Sequence, residues 1–187
     1  ALLGRAFFDD PLERYMLPDD GERLKASTAR FRNVLRYGHL FGEVHAAEGL
    51  DAVALWLPPG ETEMTDDRMA QAGMFELRAI VGEDAFRRFI GVVEMFDELH
   101  ASDAPDPHWY LLVIGVDPPQ QRRGLGSALI EPMLARADEQ GLPCYLETAN
   151  EGNIGFYEHL GFAIVHDIVE GESGLRLLTF RREPRET

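Results

Sequence analysis

The sequence predicts a mixed α/β fold in one domain, and three observations carry that prediction. Apolar residues recur at helical spacing in some segments and gather into short unbroken runs in others, the patterns of amphipathic helices and buried strands. The chain has 187 residues, about the size of one ordinary domain. Hydrophobic residues make up 45% of it and aromatic residues 10%, enough to close a core and too much for a disordered chain. No internal repeat or low-complexity tract interrupts the plan.

The elements follow in order. Leu2, Leu3, Phe7 and Phe8 have helical spacing, and Asp9-Asp10-Pro11 ends that segment. Beyond a Pro18-Asp19-Asp20 turn, Leu24, Phe31, Val34 and Leu35 predict a second helix to about Tyr37. Apolar runs at 40–47 and 52–57 flank Glu48-Gly49-Leu50-Asp51 and predict a β-hairpin, which Pro58-Pro59-Gly60 stops. Met69, Phe75, Leu77 and Ile80 mark a helix after a capping Thr65; Phe86, Phe89, Ile90, Val93, Phe96 and His100 mark another. Pro105-Asp106-Pro107 breaks the chain before 109–116, an apolar run short enough for a buried strand. A polar loop to Arg123 leads to an amphipathic helix over 124–140 and a strand over 144–149. A short helix at 153–160 and two strands, 162–169 and 175–180, complete the plan.

Charge narrows the function. Eighteen Lys and Arg stand against 33 Asp and Glu, for a net −15. Such a surface repels phosphate backbones and anionic lipid, so no nucleic-acid or membrane partner is expected. Between Leu40 and Tyr110 there are 15 acidic and 4 basic residues. Solvated helix faces account for such clusters; the functional alternative is an acidic rim that attracts a cationic substrate. The single Cys144 excludes an intramolecular disulfide and a multi-thiolate zinc site. Histidines 39, 45, 100, 108, 159 and 166 show no metal-ligand spacing, so no metal is expected. With no run approaching the ~20 apolar residues of a membrane span and no signal-peptide pattern, a cytoplasmic protein is the expectation.

The stretch that carries chemistry is Gln121-Arg122-Arg123-Gly124-Leu125-Gly126, between a buried strand and a helix start. Glycines let the backbone approach a ligand, and unpaired N–H groups and the helix dipole favour an anion there. Arg122 and Arg123 form a basic pair in an acidic neighbourhood. An ordinary strand-to-helix turn with two solvated arginines is the plain alternative. A dinucleotide fingerprint fails because Leu129 stands where its third glycine belongs. No G-x-x-x-x-G-K-S/T phosphate loop is present.

This stretch resembles the acetyl-CoA-binding core of the GNAT N-acetyltransferases, whose signature is Q/R-x-x-G-x-G/A. Gln121, Gly124 and Gly126 fit it, after Val116-Asp117-Pro118 at the end of the central strand. Downstream, Asn150, Asn153 and Gly155-Phe156-Tyr157-Glu158-His159-Leu160-Gly161-Phe162 are similar to the family's Asn, Tyr and Gly-Phe elements. Leu146-Glu147-Thr148, Phe156-Tyr157-Glu158 and Leu160-Gly161-Phe162 further resemble puromycin N-acetyltransferase-type members, with weaker similarity at Ala6-Phe7-Phe8-Asp9 and Trp56-Leu57-Pro58-Pro59. The resemblance implies a central twisted mixed sheet flanked by helices. Residues 1–108 would form the acceptor side and 109–187 the acetyl-CoA side. The family normally begins with a strand, and this chain opens at Ala1 in a helical pattern, so a preceding strand is expected.

The resemblance also implies roles. Acetyl-CoA would be the co-substrate. Freed backbone at Ile114, Gly115 and Val116 would bind pantetheine, with Gly115 suited to a bulge or a close backbone approach. Gln121, Arg122, Arg123, Gly124, Leu125, Gly126 and Ser127 would hold the pyrophosphate, with Asn150 and Asn153 beside the cofactor. Tyr157 would be the general acid; the alternative is a half-buried packing aromatic. Glu147 would be the general base, or a carboxylate that only orients the amine. In an extended strand Tyr145 and Glu147 share one face and Cys144 and Leu146 the other, so Cys144 reads as core rather than an acyl carrier. Asp9, Asp10, Trp56 and His108 are placed for the acceptor side. The expected function is acetyl transfer to the primary amine of a small cationic molecule by a monomer or homodimer. Acetylation of a protein amine and a non-catalytic acyl-CoA-binding module are the alternatives.

Overall fold

The computed structural model describes residues 1–171 and 173–185. One sheet contains β1 (Glu43–Ala46), β2 (Ala52–Leu57), β3 (Trp109–Val116), β4 (Cys144–Thr148), β5 (Ala163–Val169) and β6 (Arg176–Arg182). The strand order is β1-β2-β3-β4-β6-β5. Neighbours are antiparallel except β3 and β4, which run parallel. The helices are α1 (Leu2–Ala6), α2 (Pro11–Met16), α3 (Asp20–Phe41), α4 (Asp66–Gln71), α5 (Leu77–Val81), α6 (Glu83–Asp103), α7 (Leu125–Gln140) and α8 (Ile154–His159).

A hydrophobic core lies on each face of this sheet. One joins Val53, Leu55, Tyr110 and Tyr145 to Phe31, Val34 and Phe89 from α3 and α6. The other joins Trp56, Leu111, Cys144 and Leu146 to Ile130, Met133 and Tyr157 from α7 and α8. Strand alternation sorts the side chains between the two. With both faces covered, every residue of β2 is buried, as in sheets packed on two sides. The mixed α/β single domain is thus the observed architecture.

Two features of β3 open the sheet. Leu55 pairs with Val113 and Trp56 with Leu111, so Leu112 has no partner on β2 and forms a bulge. Leu112 and Val113 therefore both turn toward the α3/α6 core, while Ile114 packs on the α7 side. On its other edge β3 pairs with β4 only at Trp109–Cys144 and Tyr110–Tyr145, after which the strands part. The bulge is at Leu112 and not at Gly115, which pairs regularly with Val53. Gly115 instead permits a close approach: a Cβ there would lie 2.5 Å from Leu3 Cδ2, 3.2 Å from Phe7 Cε2 and 3.3 Å from Ala6 Cβ.

The N-terminal half departs from the sequence pattern in three places. Asp10-Pro11 starts a helix as well as ending one: Asp10 Oδ1 accepts from the Leu12 N–H at 3.0 Å and Pro11 takes the first helical position of α2, where its missing N–H costs nothing. Helix α3 runs to Phe41 rather than Tyr37, since Tyr37 and Phe41 pack ring against ring at 5.0 Å. This delays the first strand to Glu43. The helix expected after Thr65 is split at Gly73, whose φ is 77°, into α4, a single tight turn and α5.

Candidate active site

The parting of β3 and β4 leaves two cavities that share Phe7, Asp10, Ile114, Asn153 and Tyr157. One is a groove along the end of β3, the loop before α7 and the start of α8. The other is an inner pocket of about 170 Å³, walled by α2, α3, α6 and the edges of β3 and β4.

The groove collects most residues singled out for the cofactor: Ile114, Gly115, Val116, Gln121, Arg122, Gly124, Leu125, Gly126, Ser127, Asn150 and Asn153. Gly124 takes the left-handed conformation, φ 82°, and no side chain caps α7. Its first N–H groups are thus available to an anion. Arg122 also has a positive φ, 61°. The Gln121 amide donates to the Val116 carbonyl at 3.2 Å, tying the loop to the strand end. Asn150 accepts from the Gly152 N–H at 3.0 Å, whereas Asn153 forms no side-chain cap on α8 and lines both cavities. Arg123 does not line the groove; its guanidinium bonds the Gln120 amide oxygen. The open helix end, Arg122 and the parted strand edge fit a long ligand with a diphosphate, as in acetyl-CoA.

In the pocket, Glu147 lies on β4 with a side chain only 4% exposed. Its Oε2 accepts from the Tyr110 hydroxyl at 2.6 Å, and its Oε1 is buried without a hydrogen-bond partner. Burial pushes this carboxyl up to about 8; the Tyr110 bond pulls against that shift and the charge of Asp97 adds to it. Asp10 is also buried in the wall, where desolvation raises it to about 6 against the pull of the Leu12 N–H. Asp97 on α6 is raised to about 6, chiefly by desolvation, then by Glu63 and Glu94. Glu13 is held by Ser27 and Arg30. Met64, Met74, Phe89, Val92 and Phe96 supply the apolar lining.

Tyr157 belongs to the α7-side core, yet it reaches both cavities through the gap between β3 and β4. Burial, then the charge of Asp10, raises its phenol above the ordinary range. Cys144 lies on the face opposite Glu147, fully buried, with its thiol pushed up to about 12 chiefly by burial.

The acceptor-side expectations divide. Asp10 lines both cavities and Asp9 lines the groove. Trp56 lines neither, because the alternation of β2 turns it under α7, fully buried. His108 lines neither as well; it is buried before β3, 2.7 Å from His100 through their Nε2 atoms. Asp97, Glu13, Arg30 and Tyr110 also line the inner pocket, and nothing in the sequence singles them out. Their helical or strand spacing marks them only as surface or core positions, and the fold alone brings them to one wall. Among the described residues no group of three His, Cys, Asp or Glu side chains could hold a metal ion. No described helix is long and apolar enough to cross a membrane.

Known proteins are similar to this chain in sequence or fold. An uncharacterized N-acetyltransferase of Schizosaccharomyces pombe is 31% identical over 175 residues, covering 90% of this chain and 70% of its own. The crystal structure of "histone acetyltransferase HPA2 and related acetyltransferase" from Corynebacterium glutamicum superposes with a TM-score of 0.63 at 22% identity, covering 100% of this chain and 89% of that one. That structural likeness is one of fold. Residues 43–162, from the first strand through the end of α8 and the turn after it, match the Acetyltransferase (GNAT) family. With that match spanning most of the chain and the yeast relative agreeing along its length, the protein belongs to the GNAT family and is an acyltransferase.

Proposed function

We propose that the protein transfers an acetyl group from acetyl-CoA to the primary amine of a small cationic molecule by direct attack, with Glu147 as base and Tyr157 as acid. The observation that carries this reading is the meeting of the two cavities at Tyr157, with Glu147 in the wall of the inner one. Acetyl-CoA would supply the acetyl thioester. Residues 109–187 would then provide the cofactor side and 1–108 most of the acceptor side.

Each residue has a task that its surroundings support. Arg122 and the α7 N-terminus would hold the diphosphate. Backbone groups of Ile114, Gly115 and Val116 would align the pantetheine arm along the free edge of β3. An amine reaches the pocket as an ammonium and must lose a proton before it can attack. A carboxylate raised to about 8 is better matched to that proton than an ordinary one. Tyr157 keeps its proton at working pH because burial raises its phenol, so it can deliver that proton to the departing thiolate. Asp10, Asp97 and Glu147 oppose the single guanidinium of Arg30 in the pocket, which favours a cationic acceptor. The apolar wall favours one with a hydrophobic body.

Thiol release from acetyl-CoA against a panel of amines tests the reading. The panel includes polyamines, aminoacyl compounds of the puromycin kind, arylalkylamines and lysine peptides. Turnover of small hydrophobic amines is expected. Turnover of peptides alone would assign a protein acceptor, and acetyl-CoA binding without thiol release would leave only a binding module.

A further inference from the structure

Behind Glu147, α6 and the loop before β3 bring together two buried histidines that the acetyl-transfer reading does not use. His108 Nδ1 lies 2.7 Å from the Asp106 backbone oxygen, and His108 Nε2 lies 2.7 Å from His100 Nε2. His100 Nδ1 then faces Glu147 Oε1 at 3.8 Å. Desolvation lowers both imidazoles, His100 to about 4, which favours the neutral form of each, carrying one N–H.

The tautomers follow by elimination. A carbonyl only accepts, so His108 carries its proton on Nδ1 and leaves Nε2 bare. His100 must then place its proton on Nε2 to make the 2.7 Å contact. Its Nδ1 is therefore a lone pair aimed at Glu147 Oε1, the same oxygen that lacks a partner. Toward a carboxylate this contact is repulsive. Toward a protonated carboxyl, closing the gap by about 1 Å makes an O–H···N hydrogen bond.

We propose that His100 and His108 form a tautomer-locked pair that positions Glu147 and accepts a hydrogen bond from it once it has taken the acceptor's proton. The inference rests on the reading of Glu147 as the base. The proton moves from the ammonium nitrogen to Glu147 Oε1 and stays there, hydrogen-bonded to His100 Nδ1, until solvent removes it; no other bond changes. Both histidines are positioning residues. Other groups facing Glu147 are Tyr110 on β3, Tyr145 on β4, and Asp97 and Asp103 on α6. Those around the pair are Tyr110, whose ring is 4.4 Å from that of His100, Tyr145, stacked on it at 4.6 Å, and Asp103 and Arg181. None of these donates to the exposed lone pair of His100.

Nitrogen NMR of the histidine-labelled protein reads the tautomers directly. His100 protonated at Nε2 and His108 at Nδ1 are expected above about pH 7; a proton on His100 Nδ1 overturns the proposal. In His108→Phe the lock is gone, and His100 is free to donate from Nδ1 to the carboxylate. The acid limb of kcat/KM is then expected to move to lower pH by about one unit. A limb that stays or moves up in a folded variant overturns the coupling. The spectrum needs no variant, so it decides even if His108→Phe misfolds. Should Glu147→Gln keep the wild-type limb, the reading of Glu147 as base falls, while the spectrum still decides the lock.

Discussion

The Tyr110 hydroxyl donates to Glu147 Oε2 at 2.6 Å, and Tyr110 itself sits at the last backbone pair before β3 and β4 part. The strand separation that opens the groove therefore begins at the residue that holds the candidate base. One carboxylate oxygen is fixed by this bond and the other remains unpaired. The carboxylate is thereby oriented without being neutralised by a cation.

The first prediction concerns pH. Glu147, at about 8, is a base only above that value, so kcat/KM climbs through about pH 8 and then levels. In Glu147→Gln that limb disappears and the plateau falls by about 10²-fold or more. Stability moves the opposite way. The folded chain keeps a proton that the unfolded carboxyl releases near its ordinary value of about 4.3, so this group's contribution to stability falls as pH rises from there to about 8. Glu147→Gln is expected to melt above wild type at pH 9 and with it at pH 4. Rate profiles and thermal melts check the two halves independently.

Tyr157→Phe removes the phenolic proton and leaves the ring that packs against Phe162 and Phe180. Turnover should drop by about 10²-fold or more, with the melting temperature and the acetyl-CoA dissociation constant near wild type. Calorimetric titration beside the thiol-release assay separates binding from turnover. Full turnover in this variant would take Tyr157 out of the chemistry.

A larger residue at Gly115 tests the contact between α1 and β3. Valine there would press on Leu3, Phe7 and Ala6, and overpacking of this kind costs about 1–3 kcal/mol. Ala6 and Phe7 line the groove beside Gly115. Gly115→Val should therefore lower both the melting temperature and acetyl-CoA affinity, whereas Gly155→Ala, on an open helical glycine, should lower neither. Equal melting curves for Gly115→Val and wild type would contradict the close approach.

What could be read from the sequence depended on how local each feature is. The strand 109–116 was legible to the residue, because an apolar run between prolines and a polar loop is bounded by its own neighbours. The groove was legible for the same reason: strand end, loop and helix start are contiguous. The inner pocket was not. Asp97 comes near Glu147 only through the packing of α6 on the sheet, and Tyr110 only through the pairing of β3 with β4, while Trp56, placed on the acceptor side by the resemblance, is turned away by its strand face. His100 and His108 are eight apart across the end of α6, where no helical or strand period relates them. The bulge fell at Leu112 and not at Gly115, since the glycine answers to α1 crossing above it.

The last prediction concerns Asp97, whose place in the pocket no sequence period revealed. Its carboxyl, near 6, is an anion at the pH where Glu147 works. It can pair with a second cationic group of the acceptor, and its charge also raises Glu147. Asp97→Asn should raise KM for a cationic amine by roughly fivefold, equivalent to about 1 kcal/mol for a partly screened pair. The kcat plateau should change little. Because one negative charge near Glu147 is gone, the acid limb should move to lower pH. A monoamine without the second cationic group should show the limb shift without the KM change, since it never pairs with Asp97. Should both amines keep their KM values and the limb stay in place, Asp97 would contribute to neither acceptor binding nor the tuning of the base.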